Sequence, residues 1–213
     1  MLFDVYIFIL PAVFILLCYL LYLVWFCPNK IKIVASVCII LFLLRYVCIF
    51  IMLLAHKMTY LYMLKLPYFL NLPAGAILIF ISFYIFMRKN NVNFNYIFLM
   101  SAVVAAVYMF EVLKYNVYVT GVDNFGYTMF FKYDIGIYWT YIIIATAGLF
   151  GSLVFLQMSY VNKIGFYMLA FACVFVIAEN IGSIVGFRIF PESIIGDLVL
   201  VCTFIYALWK VKK

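Results

Sequence analysis

Residues 27–54 read CPNKIKIVASVCIILFLLRYVCIFIMLL. Pro28, Asn29 and Lys30 separate an apolar run at 3–26 from a second at 31–54, because Pro and Asn break helices and Lys stays in water. Each run is long enough to cross roughly 30 Å of hydrocarbon as a helix. Within the second run, Arg45 lies far from both ends. These two features, a terse basic break and one deep charge, recur along the chain.

Applied outward, the same reading predicts spans at 3–26, 31–54, 66–87, 94–112, 134–157, 164–187 and 192–209. The expected fold is all-α: one integral membrane bundle of seven transmembrane helices, a single domain over residues 1–213. Composition agrees, with 71% apolar and 10% charged residues, against about 45–50% and about 25% in soluble domains. A soluble chain of this make-up could not cover its apolar surface. The lipid bilayer is therefore its first partner, and a multi-pass place in the cell membrane is expected.

The charges are sorted by side. One set of connections and flanks carries Lys30, Lys32, Arg88, Lys89, Lys163, Lys210, Lys212 and Lys213, and its connections hold no acid. The other side carries Asp4, Asp123, Asp134 and Glu192 near or between helix ends, mixed with fewer bases. Basic loops stay in the cytoplasm, so the N-terminus is expected outside and the C-terminus inside. The net charge of +7 follows from these anchors. They form no patch of the kind nucleic acid requires, so no nucleic-acid partner is expected. Met1-Leu2-Phe3-Asp4 has no basic start and no small-residue cleavage site follows, so no removable signal peptide is expected.

Local signals place several ends and bends. Pro67 suits a helix start, Asp134 and Glu192 suit helix N-termini, and Pro11 and Pro73 predict kinks inside their spans. Residues 55–65 are expected along the interface. Residues 113–133, with Gly121, Asp123, Asn124, Gly126 and many aromatics, form the one long loop, read as a lid or an interfacial hairpin. Gly182 with Gly186 and Ala102 with Ala106 have spacing for close helix approach. No internal repeat is evident, against transporters built from repeated halves. Tyr138-Trp139-Thr140-Tyr141 reads as an aromatic belt, and His56 beside Lys57 as an interfacial residue.

The candidate site comes from depth. At about 1.5 Å per residue, Arg45 and Glu179 lie roughly 21–23 Å from the basic edge and Asp197 roughly 18 Å. A lone charge there costs several kcal/mol, so Arg45 is expected to pair with Glu179, with Asp197 or with both. Asn180, Asn71, Tyr68 and Glu111 could join them to line a polar cavity opening outward, and Ser183 lies one turn from Glu179. A structural ion pair and a small-ligand site are both open readings, and Glu111 is close enough to the end to snorkel.

Reaction centres are not expected. The single His excludes a His-rich metal site and a Ser/His dyad at mid-depth, and no glycine-rich phosphate loop occurs. Cys18, Cys27, Cys38, Cys48, Cys173 and Cys202 lack metal-ligand spacing and read as small hydrophobes. No enzyme activity, metal or cofactor is expected.

Several stretches carry a resemblance. Lys65-Leu66-Pro67-Tyr68-Phe69-Leu70 followed by Pro73 and Phe80 to Arg88, Asn180-Ile181-Gly182 with Gly186, Pro191 with an acid, and the closing Ala207-Leu208-Trp209-Lys210 are the carriers. Together with a fifth helix opening at Asp134, these resemble the N-terminal seven-transmembrane sensor region of bacterial histidine kinases and related signalling proteins. A weaker likeness is to membrane regions that precede DNA-binding modules in bacterial regulators. The family shows Thr-Pro after the acid of the last helix, where this chain has Ser193 and Ile194. The family's membrane region feeds a kinase or cyclase output, and this chain stops at Lys213. The resemblance implies a sensor or signal-transduction domain that reads a small extracytoplasmic ligand or membrane state and passes it to a cytoplasmic signalling partner. A small-solute or ion transporter or channel, and a structural subunit of a membrane complex, are the alternatives.

Overall fold

The computed structural model describes residues 2–55, 58, 60–87, 93–122, 125–131, 136–188 and 190–212. His56, Lys57, Arg88, Lys89, Asp123, Asn124, Asp134 and Lys213, which entered the sequence reading, lie outside the described residues.

Seven helices are long and apolar enough to cross a membrane. They are α1 (Leu2–Val24), α2 (Asn29–Leu54), α4 (Asn71–Met87), α5 (Asn95–Lys114), α6 (Gly136–Phe155), α7 (Lys163–Val185) and α8 (Ile194–Lys212), with a short α3 (Lys65–Tyr68) leading into α4. The number agrees with the sequence reading, and most ends agree within two or three residues. Seven such helices are what a multi-pass membrane protein requires.

The third span differs. It begins as a 3-10 turn at Leu61–Leu64, continues as α3 and breaks at Phe69-Leu70 before α4. Pro73 supplies the reason: it has no N–H for the carbonyl of residue 69, and its ring crowds that carbonyl. The kink expected at Pro73 is thus a break one turn upstream, which puts Pro73 in the first turn of α4. Pro11, by contrast, lies inside a continuous α1.

The bundle is all-helical as expected, and among the described residues the long loop adds one small antiparallel hairpin. Val117–Val122 (β1) and Gly126–Phe131 (β2) form an antiparallel hairpin, in register from Val117 opposite Phe131 to Val122 opposite Gly126. Gly126 has φ +78°, and a Cβ there would lie 2.8 Å from the Leu53 Cα and the Met52 carbonyl oxygen. Only glycine combines that conformation with so close an approach to the end of α2. Aromatic rings pin the hairpin down: Phe125 meets Phe3 and Tyr6 of α1, with ring centres 5.6 and 5.2 Å apart, and Phe131 meets Phe69 at 4.3 Å.

Helix α4 is the axis of the bundle, touching α2, α5, α6, α7 and α8. Of its apolar window 78% is buried, against 17% for α5, which packs on the outside. At the end away from the hairpin, Phe83, Phe86, Phe155 and Phe166 form one ring cluster, with centres 5.1 to 6.0 Å apart. The chain is tied there by the Asn162 N–H, which donates to the Phe86 carbonyl at 3.0 Å. Lys30, whose Nζ reaches Asn95 Oδ1 at 3.4 Å, and Lys32, stacked 3.7 Å over Trp25, mark this as the basic end.

Close approaches occur elsewhere than expected. Ala102 and Ala106 face outward, and Gly182 meets the Phe187 carbonyl of its own segment. Gly165 instead lies flat on Phe86, and Gly75 on the Tyr141 hydroxyl. Tyr141 is buried while Trp139 is 52% exposed, so the expected aromatic belt is split between core and surface. Cys27, Cys38, Cys48 and Cys173 are buried, Cys18 and Cys202 are exposed, and none of the six forms a disulfide.

Gly165→Val would drive a side chain into the Phe86 ring. It is expected to cost about 1–3 kcal/mol, while Ala102→Val on the outer face changes stability by less than about 0.5 kcal/mol. Thermal unfolding of the two proteins in detergent checks the contrast.

Candidate functional site

The break at Phe69-Leu70, the stretch of α2 around Arg45 and the start of α8 bring one set of polar groups together beneath the hairpin. Arg45, on α2, and Asp197, in the first turn of α8, are each 2% exposed and form an ion pair through Nη1 and Oδ2. Of the two partners open to Arg45 in the sequence, the structure uses Asp197. Arg45 Nη2 also donates a long bond to Ser193 Oγ at 3.5 Å, and the Tyr46 hydroxyl donates to Asp197 Oδ2 at 3.4 Å. Asn71 Nδ2 donates to the same Ser193 Oγ at 3.2 Å.

Glu179 has a different task. From α7 it accepts the Ile195 N–H at 3.0 Å on one oxygen and the Gly196 N–H at 2.7 Å on the other. First-turn N–H groups have no partner within their own helix, and a carboxylate there also meets the positive end of the dipole. Ser193, at the cap position, has its hydroxyl committed to Arg45 and Asn71, so a neighbouring helix supplies the cap. Gly196 makes room for it, since a Cβ would sit 2.6 Å from Glu179 Oε2.

Glu192 was read only as a helix-start acid, yet it is 6% exposed and central. It accepts the Tyr6 hydroxyl at 2.7 Å and the Tyr68 hydroxyl at 3.4 Å. Tyr68 also bonds Thr128 Oγ1 of β2 at 3.1 Å, which links the carboxylate to the hairpin. Arg188, unremarked in the sequence, stacks 3.7 Å from the Phe130 ring of β2, and its Nη2 donates to the Ser183 carbonyl at 3.1 Å. Burial draws this guanidinium below its ordinary value, opposed by Tyr138, Tyr68 and Glu192, and an arginine still keeps its proton.

Asn180 is buried with its side chain turned back to the Val176 carbonyl at 2.7 Å. Glu111 stays apart on the outer helix α5, and its Oε2 has no hydrogen-bond partner among the described residues. The structure therefore brings together Arg45, Asp197, Asn71 and Tyr68, sets Glu179 and Asn180 at their edge, and leaves Glu111 out. It adds Tyr6, Tyr46, Thr128, Arg188, Glu192 and Ser193. Among the described residues no three His, Cys, Asp or Glu side chains are placed to hold a metal ion.

The network borders a partly open polar chamber of about 30 Å³, lined by Arg45, Asn71, Asn180, Ser183, Arg188 and Ser193 among others, with Met129 and Phe130 of the hairpin. That is room for about one or two waters. A second cavity of about 270 Å³ shares Ser183, Arg188, Glu192 and Ser193 with it and has mainly apolar walls. A third, of about 220 Å³, lies between α4, α5 and α6 and is apolar throughout. With Arg45, Arg188 and Glu192 around a gap, the arrangement can hold a small polar group. The chain matches no family model, no curated protein and no solved structure.

Removing one member of a buried pair leaves the other uncompensated, at about 3–5 kcal/mol. Arg45→Met and Asp197→Leu are each expected to destabilise by that order, and the double change to recover most of it. Arg45→Met with Glu179→Gln is expected to recover much less, because no ion pair or hydrogen bond joins those two side chains among the described residues. Denaturation of the two double-mutant cycles separates an Arg45–Asp197 pair from an Arg45–Glu179 one.

Proposed function

We propose that the protein is a membrane-embedded sensor, with its N-terminus outside and its C-terminus in the cytoplasm, that reads a small ligand beneath the hairpin. One observation carries the reading. The polar network sits at a single end of the bundle and converges on the first turn of α8, the helix whose far end carries Trp209 and Lys210. A group bound there would favour one setting of α8 against α2 and α7. Only such a difference in affinity between two helix arrangements transmits a signal. The reading is of binding and not catalysis, with output through a cytoplasmic partner acting on the basic end of α8.

The orientation is supported by the bases. Lys30, Lys32, Lys163 and Lys210 lie at the ends of helices away from the hairpin, as cytoplasmic loops require. A transporter would need the same site to open toward that end, where the Phe83, Phe86, Phe155 and Phe166 rings fill the interior. A purely structural subunit would have no use for a chamber beneath a covering hairpin.

Access from one side tests this. Ser183→Cys in membrane vesicles of known orientation is expected to react with a membrane-impermeant maleimide only from the extracytoplasmic face. The parent protein with its own six cysteines gives the background. Reaction from both faces would favour a transporter, and reaction only from the cytoplasmic face would reverse the topology.

A further inference from the structure

We propose that the cavity between the end of α7 and the start of α8 binds an amphipathic anion: a single carboxylate held by Arg188, with an apolar body against Phe175, Phe187, Phe190 and Ile195. This rests on the reading of the hairpin end as a ligand site, and it names the ligand's class.

The charge inventory gives the sign. Asp197 is paired with Arg45, Glu179 takes two backbone N–H groups, and Glu192 takes two tyrosine hydroxyls. Every carboxylate lining the cavity already has its donors. Among the described residues Arg188 does not have its acceptors. It lies in no ion pair among the described residues, its only hydrogen bond there runs to a backbone carbonyl, and its buried Nε has no partner. An arginine offers five donors in a planar fork suited to a carboxylate. A cationic ligand would meet this guanidinium and find no unclaimed carboxylate.

Shape gives the rest. At about 270 Å³ the cavity is near the lower edge of small-molecule sites, about 300–1,000 Å³. Apart from Ser183, Ser193 and the groups just named its wall is aromatic and aliphatic, and Phe187 is 75% exposed. That space suits one short chain or ring and not a two-chain lipid. Binding also has a route to the hairpin, because the same guanidinium stacks on Phe130 of β2.

The test uses the full chain in phosphatidylcholine nanodiscs and three probes with one chain length: hexanoate, hexylammonium and hexanol. Hexanoate is expected to raise the melting temperature saturably and the other two not. Arg188→Gln is expected to weaken that response about tenfold or more, with Arg188→Lys intermediate. Ala178→Phe, which fills the cavity from an exposed position and leaves Arg188 in place, is expected to abolish it. Equal responses to all three probes, a hexanoate response that survives both Arg188→Gln and Ala178→Phe, a response to hexylammonium alone, or no response to any probe would each overturn the anion site. One-sided reaction at Ser183→Cys is independent of these outcomes, so the sensor reading can stand where this inference fails.

Discussion

Two charges buried in an apolar bundle govern this structure. Arg45 cannot be taken from water alone without a cost of several kcal/mol, and Asp197 at its side converts that cost into a constraint. The pair holds α2 and α8 at one relative height. With Asp197 so occupied, Glu179 is left to cap α8 from α7, and Ser193 to bridge Arg45 and Asn71. The start of α8 is thus gripped by three other helices. A slip of one residue along α8 would break the ion pair and the cap together.

The hairpin belongs to the same arrangement. Its β2 strand supplies Thr128 to the Tyr68–Glu192 chain and Phe130 to Arg188, while Phe125 is held by Phe3 and Tyr6. Covering the polar groups keeps them out of water and strengthens each contact. Among the described residues the opposite half buries no charged side chain, only Ser82, Ser152, Asn162 and Thr203, and it closes on phenylalanine rings. Charge is therefore concentrated at one end of the bundle axis, and the α7–α8 cavity lies at that end.

Much of this was legible in the sequence, and the reasons differ by feature. The spans were readable because an apolar run long enough to cross a bilayer has few other uses, and Pro28-Asn29-Lys30 is an unambiguous break. Arg45, Glu179 and Asp197 stood out because ionisable residues are costly at depth. Their partners were not legible: depth puts Glu179 and Asp197 within reach of Arg45 alike, and only the rotation of each helix about its axis separates them. Glu192 was hidden by a local role that explained it well enough, an acid at a helix start. Tyr6 and Thr128 were hidden because a tyrosine in an apolar run and a threonine in a loop are ordinary. The hairpin was one of two readings of its loop, since Gly126 and alternating aromatics fit a turn between strands as well as an irregular lid.

The cap on α8 is the point at which the whole account is most exposed. Hydrogen–deuterium exchange of the full chain in nanodiscs, resolved to the amides of Ile195 and Gly196, measures it directly. First-turn amides of a helix have no intrahelical acceptor, so slow exchange at both in the parent protein, made fast by Glu179→Gln, is the predicted result. Fast exchange at both amides in the parent would mean that Glu179 does not hold the start of α8, and would contradict the account.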